Sequence, residues 1–181
     1  MTTTTWNIDS SHSGVHFSVR HMVVSKVRGR FAKYTGTVHL DDDLGKSRVE
    51  VAIDTASIDT GTADRDAHLR SADFFDAEKF PSITFRSTRV EHVDGEKFRL
   101  FGNLTIRDVT REVVLEATHG GRSKDPWGNE RAGFEAKTAI DRKDFGLTWN
   151  QVLEVGGVLV GDRVDLEIEV EAVRAAAAQV A

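Results

Sequence analysis

Apolar and polar side chains alternate through most of this chain, and this alternation limits its possible folds more than any other feature. The clearest run lies near the C-terminus, where charged residues separate five apolar positions: Val164, Leu166, Ile168, Val170 and Ala172. Period-two alternation is typical of a strand with one buried face and one solvated face. Strands of a parallel α/β sheet are buried on both faces, so the pattern favours an antiparallel sheet.

About eight segments show this alternation, which is the number at which an antiparallel sheet closes into a small barrel. Between Val27 and Leu40 the pattern changes parity: Phe31 belongs to one alternating set and Val38 to the other. A shift of one residue moves every side chain to the opposite face, so we expect a bulge or bend near Lys33-Tyr34. The sequence therefore predicts an all-β protein built as an eight-stranded antiparallel barrel.

Helical signal is confined to one connection between strands. Residues 63–75 follow Thr62, a candidate N-cap, and carry Asp64 and Asp66 in the first turn, where acidic side chains are favourable. We predict one short helix in the 62–76 connection.

The domain organisation is simple. We expect a single barrel domain over residues 1–174, followed by an alanine-rich tail over 175–181 that is frayed and without function. A shorter turn is predicted at residues 142–145.

Composition narrows the function classes. The 181 residues include no cysteine, which excludes disulfides, thiolate nucleophiles and cysteine metal sites. A net charge of −5 disfavours nucleic acid as a partner. No apolar run approaches the ~20 residues of a transmembrane helix. Residues 1–6 show neither a basic start nor an apolar core, so we expect no export signal and a cytoplasmic protein.

Three histidines near the N-terminus raise the question of a metal site. His12 and His16 flank Val15, which lies in an alternating run, so we expect both on one strand, about 13 Å apart at ~3.3 Å per residue. Such a pair cannot share an ion with bonds of ~2.1 Å, and His21 falls on the opposite face. We therefore predict no metal site and no cofactor.

Two charged segments permit more than one interpretation. Arg65, Asp66 and His68 form either an acid–base or anion-binding cluster, as in an enzyme or a metal-dependent protein, or a network that anchors the helix to the barrel, and we favour anchoring. Residues 141–146 are interpreted as a solvated charged turn closed by Gly146. The motif Asp59-Thr60-Gly61-Thr62 occurs once, whereas aspartic-protease chemistry needs two such loops, so we interpret it as a turn that enters the helix. We predict no catalytic residue.

The inward faces combine aromatic rings with the small residues Gly102, Ala117 and Ala136, and such a mixture can leave a tunnel. Apolar pockets with few polar groups suit lipophilic ligands. The predicted ligand-binding residues are Val15, Phe17, Val19, Phe31, Val51, Phe85, Phe98, Leu100, Gly102, Leu104, Phe134, Ala136, Ile140, Leu166 and Ile168. A fully packed barrel that acts as an interaction scaffold is the remaining alternative.

Several motifs in a fixed order resemble the YceI-like family of lipocalin-like polyisoprenoid-binding proteins, over residues 6–172. They include Trp6-x-Ile8-Asp9, Val19-Arg20-His21-Met22, Arg65-Asp66-x-His68-Leu69-Arg70-Ser71-x-Asp73-Phe74-Phe75-Asp76, Phe80-Pro81-x-Ile83-x-Phe85, Arg142-x-Asp144-Phe145-Gly146 and Val160-Gly161-Asp162-x-Val164. The resemblance implies a lipocalin-like barrel that carries or stores a long isoprenoid or a related lipophilic molecule. It also implies a homodimer, because dimers are common in such folds.

Overall fold

The computed structural model describes residues 2–154 and 156–176, and strands make up most of this part of the chain. The strands are β1 (Thr4–Ile8), β2 (Gly14–His21), β3 (Ser25–Phe31), β4 (Tyr34–Leu40), β5 (Arg48–Asp54), β6 (Ile58–Asp59), β7 (Ser82–Asp94), β8 (Lys97–Ile106), β9 (Val109–Lys124), β10 (Glu130–Asp141) and β11 (Val160–Arg174). The helical elements described are α1 (Ala63–Arg70) and 3₁₀ turns at Ser10–His12, Leu44–Lys46, Thr55–Ser57 and Arg142–Phe145. None of the helices described is long and apolar enough to cross a membrane.

The strands form a closed antiparallel barrel whose wall has eight strands. Three of these wall strands each consist of two of the segments above, separated by a bend. The segment pairs are β1 with β2, β3 with β4, and β5 with β6. The first pair contacts the second through β1–β4 and β2–β3, and the second contacts the third through β4–β5 and β3–β6. The strands β7 to β11 follow in order, and β11 pairs with both β1 and β2 to close the ring. The predicted eight-stranded antiparallel barrel is confirmed.

The bend expected near Lys33-Tyr34 is confirmed by the break between β3 and β4. Phe31 and Tyr34 are both buried although they lie three positions apart, whereas residues three apart on a regular strand face opposite sides. The irregular residues between them restore the inward face, and this explains the change of parity in the sequence.

The helix begins where the sequence places it but ends earlier, so its predicted end at Phe75 is wrong. α1 ends at Arg70, where the His68 carbonyl accepts hydrogen bonds from both the Ser71 N–H at 3.1 Å and the Ser71 hydroxyl at 2.6 Å before the chain turns away. Thr62 lies at the N-cap position without a side-chain capping hydrogen bond. Gly61 has φ +81°, which confirms that the Asp59-Thr60-Gly61-Thr62 motif is a turn into the helix.

The two ends of the barrel differ. The helical end carries the connection with α1, the β2–β3 turn and residues 142–154 and 156–159. The terminal end carries the start of β1, the end of β11 and the turn at residues 125–129. The predicted tail at 175–181 lies mainly outside the described residues, although the Ala175 N–H still donates to the Thr5 carbonyl at 2.8 Å.

Buried side chains form three clusters inside the barrel. One lies at the helical end around Ile58, Ile106 and Phe145, and one lies at the terminal end around Trp6, which is 1% exposed. The third contains Val90, Phe98, Leu100, Leu115 and Ala117. The core therefore lines the whole length of the barrel.

Candidate functional site: an apolar cavity inside the barrel

An internal cavity of about 250 Å³ lies within the barrel, and the surface that faces it is nonpolar. Its wall is built from the inward positions of the strands, because alternate residues of each strand point into the barrel. Ligand pockets of proteins commonly measure about 300–1,000 Å³, so this cavity lies just below that range. Its chemistry suits a hydrocarbon ligand held by burial alone.

The structure places all of the predicted ligand-binding residues on the cavity wall except Gly102. They are Val15, Phe17, Val19, Phe31, Val51, Phe85, Phe98, Leu100, Leu104, Phe134, Ala136, Ile140, Leu166 and Ile168. Their contact with a ligand stays a prediction.

Gly102 does not line the cavity, because the Phe85 ring covers it. A Cβ atom at Gly102 would overlap the Phe85 ring and would lie 2.8 Å from the Arg86 carbonyl oxygen. The missing side chain therefore makes room for a ring of the neighbouring strand and leaves no space for a ligand. Gly29 accommodates the Phe17 ring in the same way, because a Cβ atom at Gly29 would overlap that ring.

Sequence reasoning missed the cavity residues contributed by the connections. Leu69 from α1, Phe74 and Phe75 from the turns that follow it, and Leu147 line the cavity. Alternation cannot identify them because they lie outside the strands. Further wall residues on β4, β5 and β9, such as Val38, follow the alternating pattern and could have been found from it.

Tyr34 is a polar residue on the cavity wall. Its hydroxyl is buried and has no hydrogen-bond partner among residues 2–154 and 156–176. Burial, together with the negative charge of Asp9, raises the pKa of the Tyr34 phenol above its usual value. Tyr34 is therefore neutral near pH 7, so it adds no charge to the cavity.

Arg142 is a buried cation beside the cavity. The interpretation of residues 141–146 as a solvated charged turn is therefore wrong for this residue. Its Nε donates to the Gly161 carbonyl at 2.8 Å, and its Nη1 donates to the carbonyls of Leu147 at 2.7 Å and Trp149 at 2.9 Å. Burial lowers the pKa of the Arg142 guanidinium below its usual value. The side chain therefore fixes the backbone at Leu147, Trp149 and Gly161 against the helical end. Gly146, with φ +78°, closes the turn as predicted.

Arg65 and Asp66 anchor the helical connection. Oδ1 of Asp66 accepts hydrogen bonds from the Thr60 N–H at 2.9 Å and the Thr60 hydroxyl at 2.5 Å. Arg65 donates to the Thr60 hydroxyl at 2.7 Å and to its carbonyl at 2.8 Å. His68 has other partners, since Nε2 lies 2.8 Å from Oδ2 of Asp73 and the ring packs edge-on against Trp149. These hydrogen bonds support the anchoring interpretation.

Replacing Asp66 with Ala is expected to destabilise the protein. The partly buried N–H and hydroxyl of Thr60 lose their acceptor, and leaving such polar groups unsatisfied costs up to about 1–3 kcal/mol. For a domain of this size, Tm falls by about 2–4 °C per kcal/mol. Asp64→Ala, an exposed position on the same helix, is the matched control and should change the unfolding free energy by less than about 0.5 kcal/mol. Equal Tm values for the two variants, measured by thermal unfolding, contradict the anchoring role.

A cluster at the terminal end contains His12. His12 lies in a 3₁₀ turn, so its predicted place on a strand with His16 is wrong. Asp9, His12 and Glu171 offer ligand atoms within 4.8 Å of one another, which is close enough for a metal ion.

Arg131 already pairs with both carboxylates of that cluster. Its Nη1 lies 2.9 Å from Oδ2 of Asp9 and 2.7 Å from Oε1 of Glu171, while its Nε lies 2.9 Å from Oδ2 of Asp125. Hydrogen bonds from Ser11, Arg131 and His12 hold the pKa of Asp9 well below its usual range. We interpret this group as an ion-pair cluster that joins three segments, and the absence of a metal site stays a prediction.

Comparison with known proteins identifies the family. Residues 6–172 match the family described as YceI-like domain. The chain belongs to the YceI-like family. A UPF0312 protein of Vibrio cholerae is 38% identical over 165 residues, which covers 91% of this chain and 83% of that protein.

Solved structures agree with this assignment. The YCEI protein of Campylobacter jejuni superposes with a TM-score of 0.73 at 35% identity, covering 87% of this chain and 90% of that one. A domain of Saccharophagus degradans described as polyisoprenoid-binding superposes with a TM-score of 0.71 at 14% identity, covering 94% and 98%. The second similarity supports the fold alone, because the identity is low.

Proposed function

We propose that this protein binds a lipophilic small molecule with a long hydrocarbon chain, such as a polyisoprenoid, non-covalently inside the barrel, and carries or stores it. The observation that carries the proposal is the nonpolar cavity of about 250 Å³ that is lined mainly by the inward faces of the strands. A barrel of the same fold, the Saccharophagus degradans domain, is described as polyisoprenoid-binding, which makes an isoprenoid the first ligand to test. The proposed activity is binding by burial, with no catalytic residue.

Hydrophobic burial supplies the binding energy. Each CH₂ group removed from water contributes about 0.8 kcal/mol, so a chain of several isoprene units binds well without polar contacts. A ligand longer than the present cavity requires rotation of large wall side chains such as Phe17, Phe85 and Phe98. A long, flexible hydrocarbon tolerates such an adaptable wall better than a rigid ligand does.

Organic extraction of the purified protein followed by mass spectrometry tests the proposal. We expect about one lipophilic molecule per chain, with a mass pattern of repeated five-carbon units if it is an isoprenoid. The delipidated protein should then bind a polyprenyl alcohol, and ligand at a hundredfold excess over Kd should raise the unfolding free energy by about 2.7 kcal/mol. A protein that contains no lipid and shows no stabilisation by polyprenyl alcohol contradicts the proposal.

The expected homodimer and the expected cytoplasmic location stay predictions. Light scattering during size-exclusion chromatography tests the first, and cell fractionation tests the second.

A further inference from the structure

The turn between β2 and β3 exposes three consecutive apolar side chains. Met22, Val23 and Val24 are 45%, 64% and 83% exposed. Short hairpin turns with positive φ normally use Asn, Asp or Gly, whereas here φ is +52° at Met22 and +67° at Val23. Positive φ is unfavourable for a β-branched residue such as Val23. Neither burial nor turn chemistry explains apolar residues at this position.

A second apolar segment lies against this turn. The Met22 N–H donates to the Leu159 carbonyl at 2.8 Å, and a Cβ built on Gly157 would lie 3.4 Å from Cγ2 of Val23. Val152 and Val158 pair across a short bridge in that segment and are 79% and 40% exposed. Val152 and Val158 therefore form one exposed apolar patch with the side chains of the β2–β3 turn. We call Met22, Val23, Val24, Val152 and Val158 the apolar tip.

Unpaired cations lie directly beside the apolar tip. Arg20 and Lys26 are opposite each other in the β2–β3 ladder, and Arg28 follows on the same outer face. None of these three has an ion-pair partner in residues 2–154 or 156–176, whereas the next cation along β3, Arg30, pairs with Asp59 at 3.3 Å. Two acids lie near these cations: Glu154 in the neighbouring apolar segment, and Asp165, which borders the same surface pocket as Arg20 and Lys26 and pairs with Arg163 at 3.0 Å. The three cations therefore outnumber the nearby unpaired acid.

We propose that the apolar tip and the cations Arg20, Lys26 and Arg28 form a docking surface for an anionic lipid bilayer. Apolar side chains inserted at the boundary between headgroups and acyl chains gain hydrophobic energy, and each Lys or Arg near an anionic surface adds about 1 kcal/mol, or about fivefold in affinity. The juxtaposition of exposed valines with unpaired cations fits both requirements at once.

A second copy of the chain fits this surface less well. In a two-fold dimer the same patch lies on both subunits, so Arg20, Lys26 and Arg28 of the two chains would face each other around the tip. Like charges brought together at an interface are unfavourable. A stable interface also buries about 800 Å² per partner, whereas the tip consists of five side chains on two narrow turns.

The docking surface is continuous with the cavity wall. Val19 and Val160 line the cavity, and Val160 pairs with His21, the residue before the tip. Docking would therefore place the helical end of the barrel at the bilayer, where a lipophilic ligand resides. This use of the surface for ligand transfer rests on the proposed function, whereas the docking itself requires no ligand.

Vesicle flotation of the delipidated full chain tests the docking. The vesicles contain phosphatidylcholine alone or phosphatidylcholine with phosphatidylglycerol at a ratio of about 7 to 3. We expect binding to the anionic vesicles and at least tenfold weaker binding to neutral ones. Binding should fall at about 1 M salt, where the Debye length is about 3 Å.

Matched variants separate the tip from the rest of the surface. Val24→Asp should lower the partition coefficient on anionic vesicles at least tenfold, whereas Val93→Asp, at a 44% exposed position at the terminal end, should not. Lys26→Gln should lower it about fivefold, and Lys124→Gln, which removes an exposed cation at the terminal end, should leave it unchanged.

A fluorescent label gives an independent measurement. The chain has no cysteine, so Val24→Cys and Val93→Cys each provide a single attachment point for an environment-sensitive dye. On anionic vesicles the label at residue 24 should shift its emission to shorter wavelength, and the label at residue 93 should not.

Three outcomes would overturn the docking proposal. One is a wild-type protein that stays unbound from anionic vesicles, and another is an equal loss of binding in the tip variants and their controls. The third is a wild-type protein that is dimeric, does not bind vesicles and becomes monomeric with Val24→Asp. That result would assign the tip to contact with a second copy of the chain. The proposed function fails separately, if the protein docks on vesicles but the delipidated barrel does not bind polyprenyl alcohol.

Discussion

Replacing Ala136 with Phe is expected to leave the barrel folded but almost free of lipid. Ala136 lines the cavity and lies opposite Ala117 on β9 and Ile168 on β11. A phenyl ring at this position occupies the cavity volume that a hydrocarbon chain would otherwise fill. We expect at least a tenfold decrease both in co-purifying lipid and in affinity for polyprenyl alcohol, with little change in the Tm of the delipidated protein.

Ala139→Phe is the matched control, because it makes the same substitution at an exposed position of the same strand. This variant should keep the wild-type lipid content and affinity. If the barrel interior is packed rather than hollow, the ring of Ala136→Phe must displace its neighbours, which costs about 1–3 kcal/mol. A strongly destabilised Ala136→Phe variant, or a stable one with its full lipid content, therefore contradicts a ligand cavity at this position.

The wall of the cavity could be predicted from the sequence because strand geometry has a fixed period. Once Phe134, Ala136 and Ile140 are assigned to one face of a strand, closure of the barrel turns that face inward. The same reasoning could not predict which inward positions border empty space. Gly102 lies at an inward position but is covered by Phe85, because that outcome depends on the rotamer of a ring on the neighbouring strand.

The connections were less predictable than the strands. Arg142 belongs to a segment rich in charge, and its burial depends on the backbone carbonyls of Leu147, Trp149 and Gly161, which only the folded chain brings together. At the end of α1 the N–H and the hydroxyl of Ser71 both donate to the His68 carbonyl, in place of the next helical hydrogen bond. Periodicity contains no information about contacts of this kind.

The cluster around Arg131 also could not be predicted, because it joins residues far apart in sequence. Asp9, Asp125 and Glu171 come from the N-terminal turn, the turn between β9 and β10, and β11. The spacing of His12, His16 and His21 along the chain gives no indication of Asp9 and Glu171, the carboxylates that make this group a candidate site. Barrel closure is what places Asp9 next to Glu171.

Replacing Arg131 with Met is expected to lower stability near neutral pH and to make stability depend less on pH in the acid range. Hydrogen bonds from Ser11, Arg131 and His12 hold the pKa of Asp9 below its usual value. Burial alone would raise the pKa of Asp125, but hydrogen bonds from Arg131, Asn129 and the Trp127 N–H hold it well below its usual range. The variant removes the partner that both carboxylates share.

The sign of the pH effect follows from proton binding. Because both carboxyl groups have lower pKa values in the folded state than in the unfolded state, the unfolded state binds more protons in acid. Their contribution is fully present above the unfolded pKa near 3.8 and is lost as pH falls from about 5 toward the folded values. Without Arg131 the folded pKa values move back toward 3.8, so less stability remains to be lost.

Urea unfolding at pH 7, 5, 4 and 3 measures this effect. The wild-type and Arg131→Met proteins should differ most at pH 7 and converge toward pH 3. Arg99→Met, which breaks the exposed pair with Glu116, is the control and should reduce stability by no more than the ~1 kcal/mol typical of surface ion pairs. If the unfolding free energies of wild type and Arg131→Met differ by the same amount at every pH, Arg131 acts through packing alone. The two curves converge only if Arg131 lowers the pKa values of the carboxyl groups in the folded state.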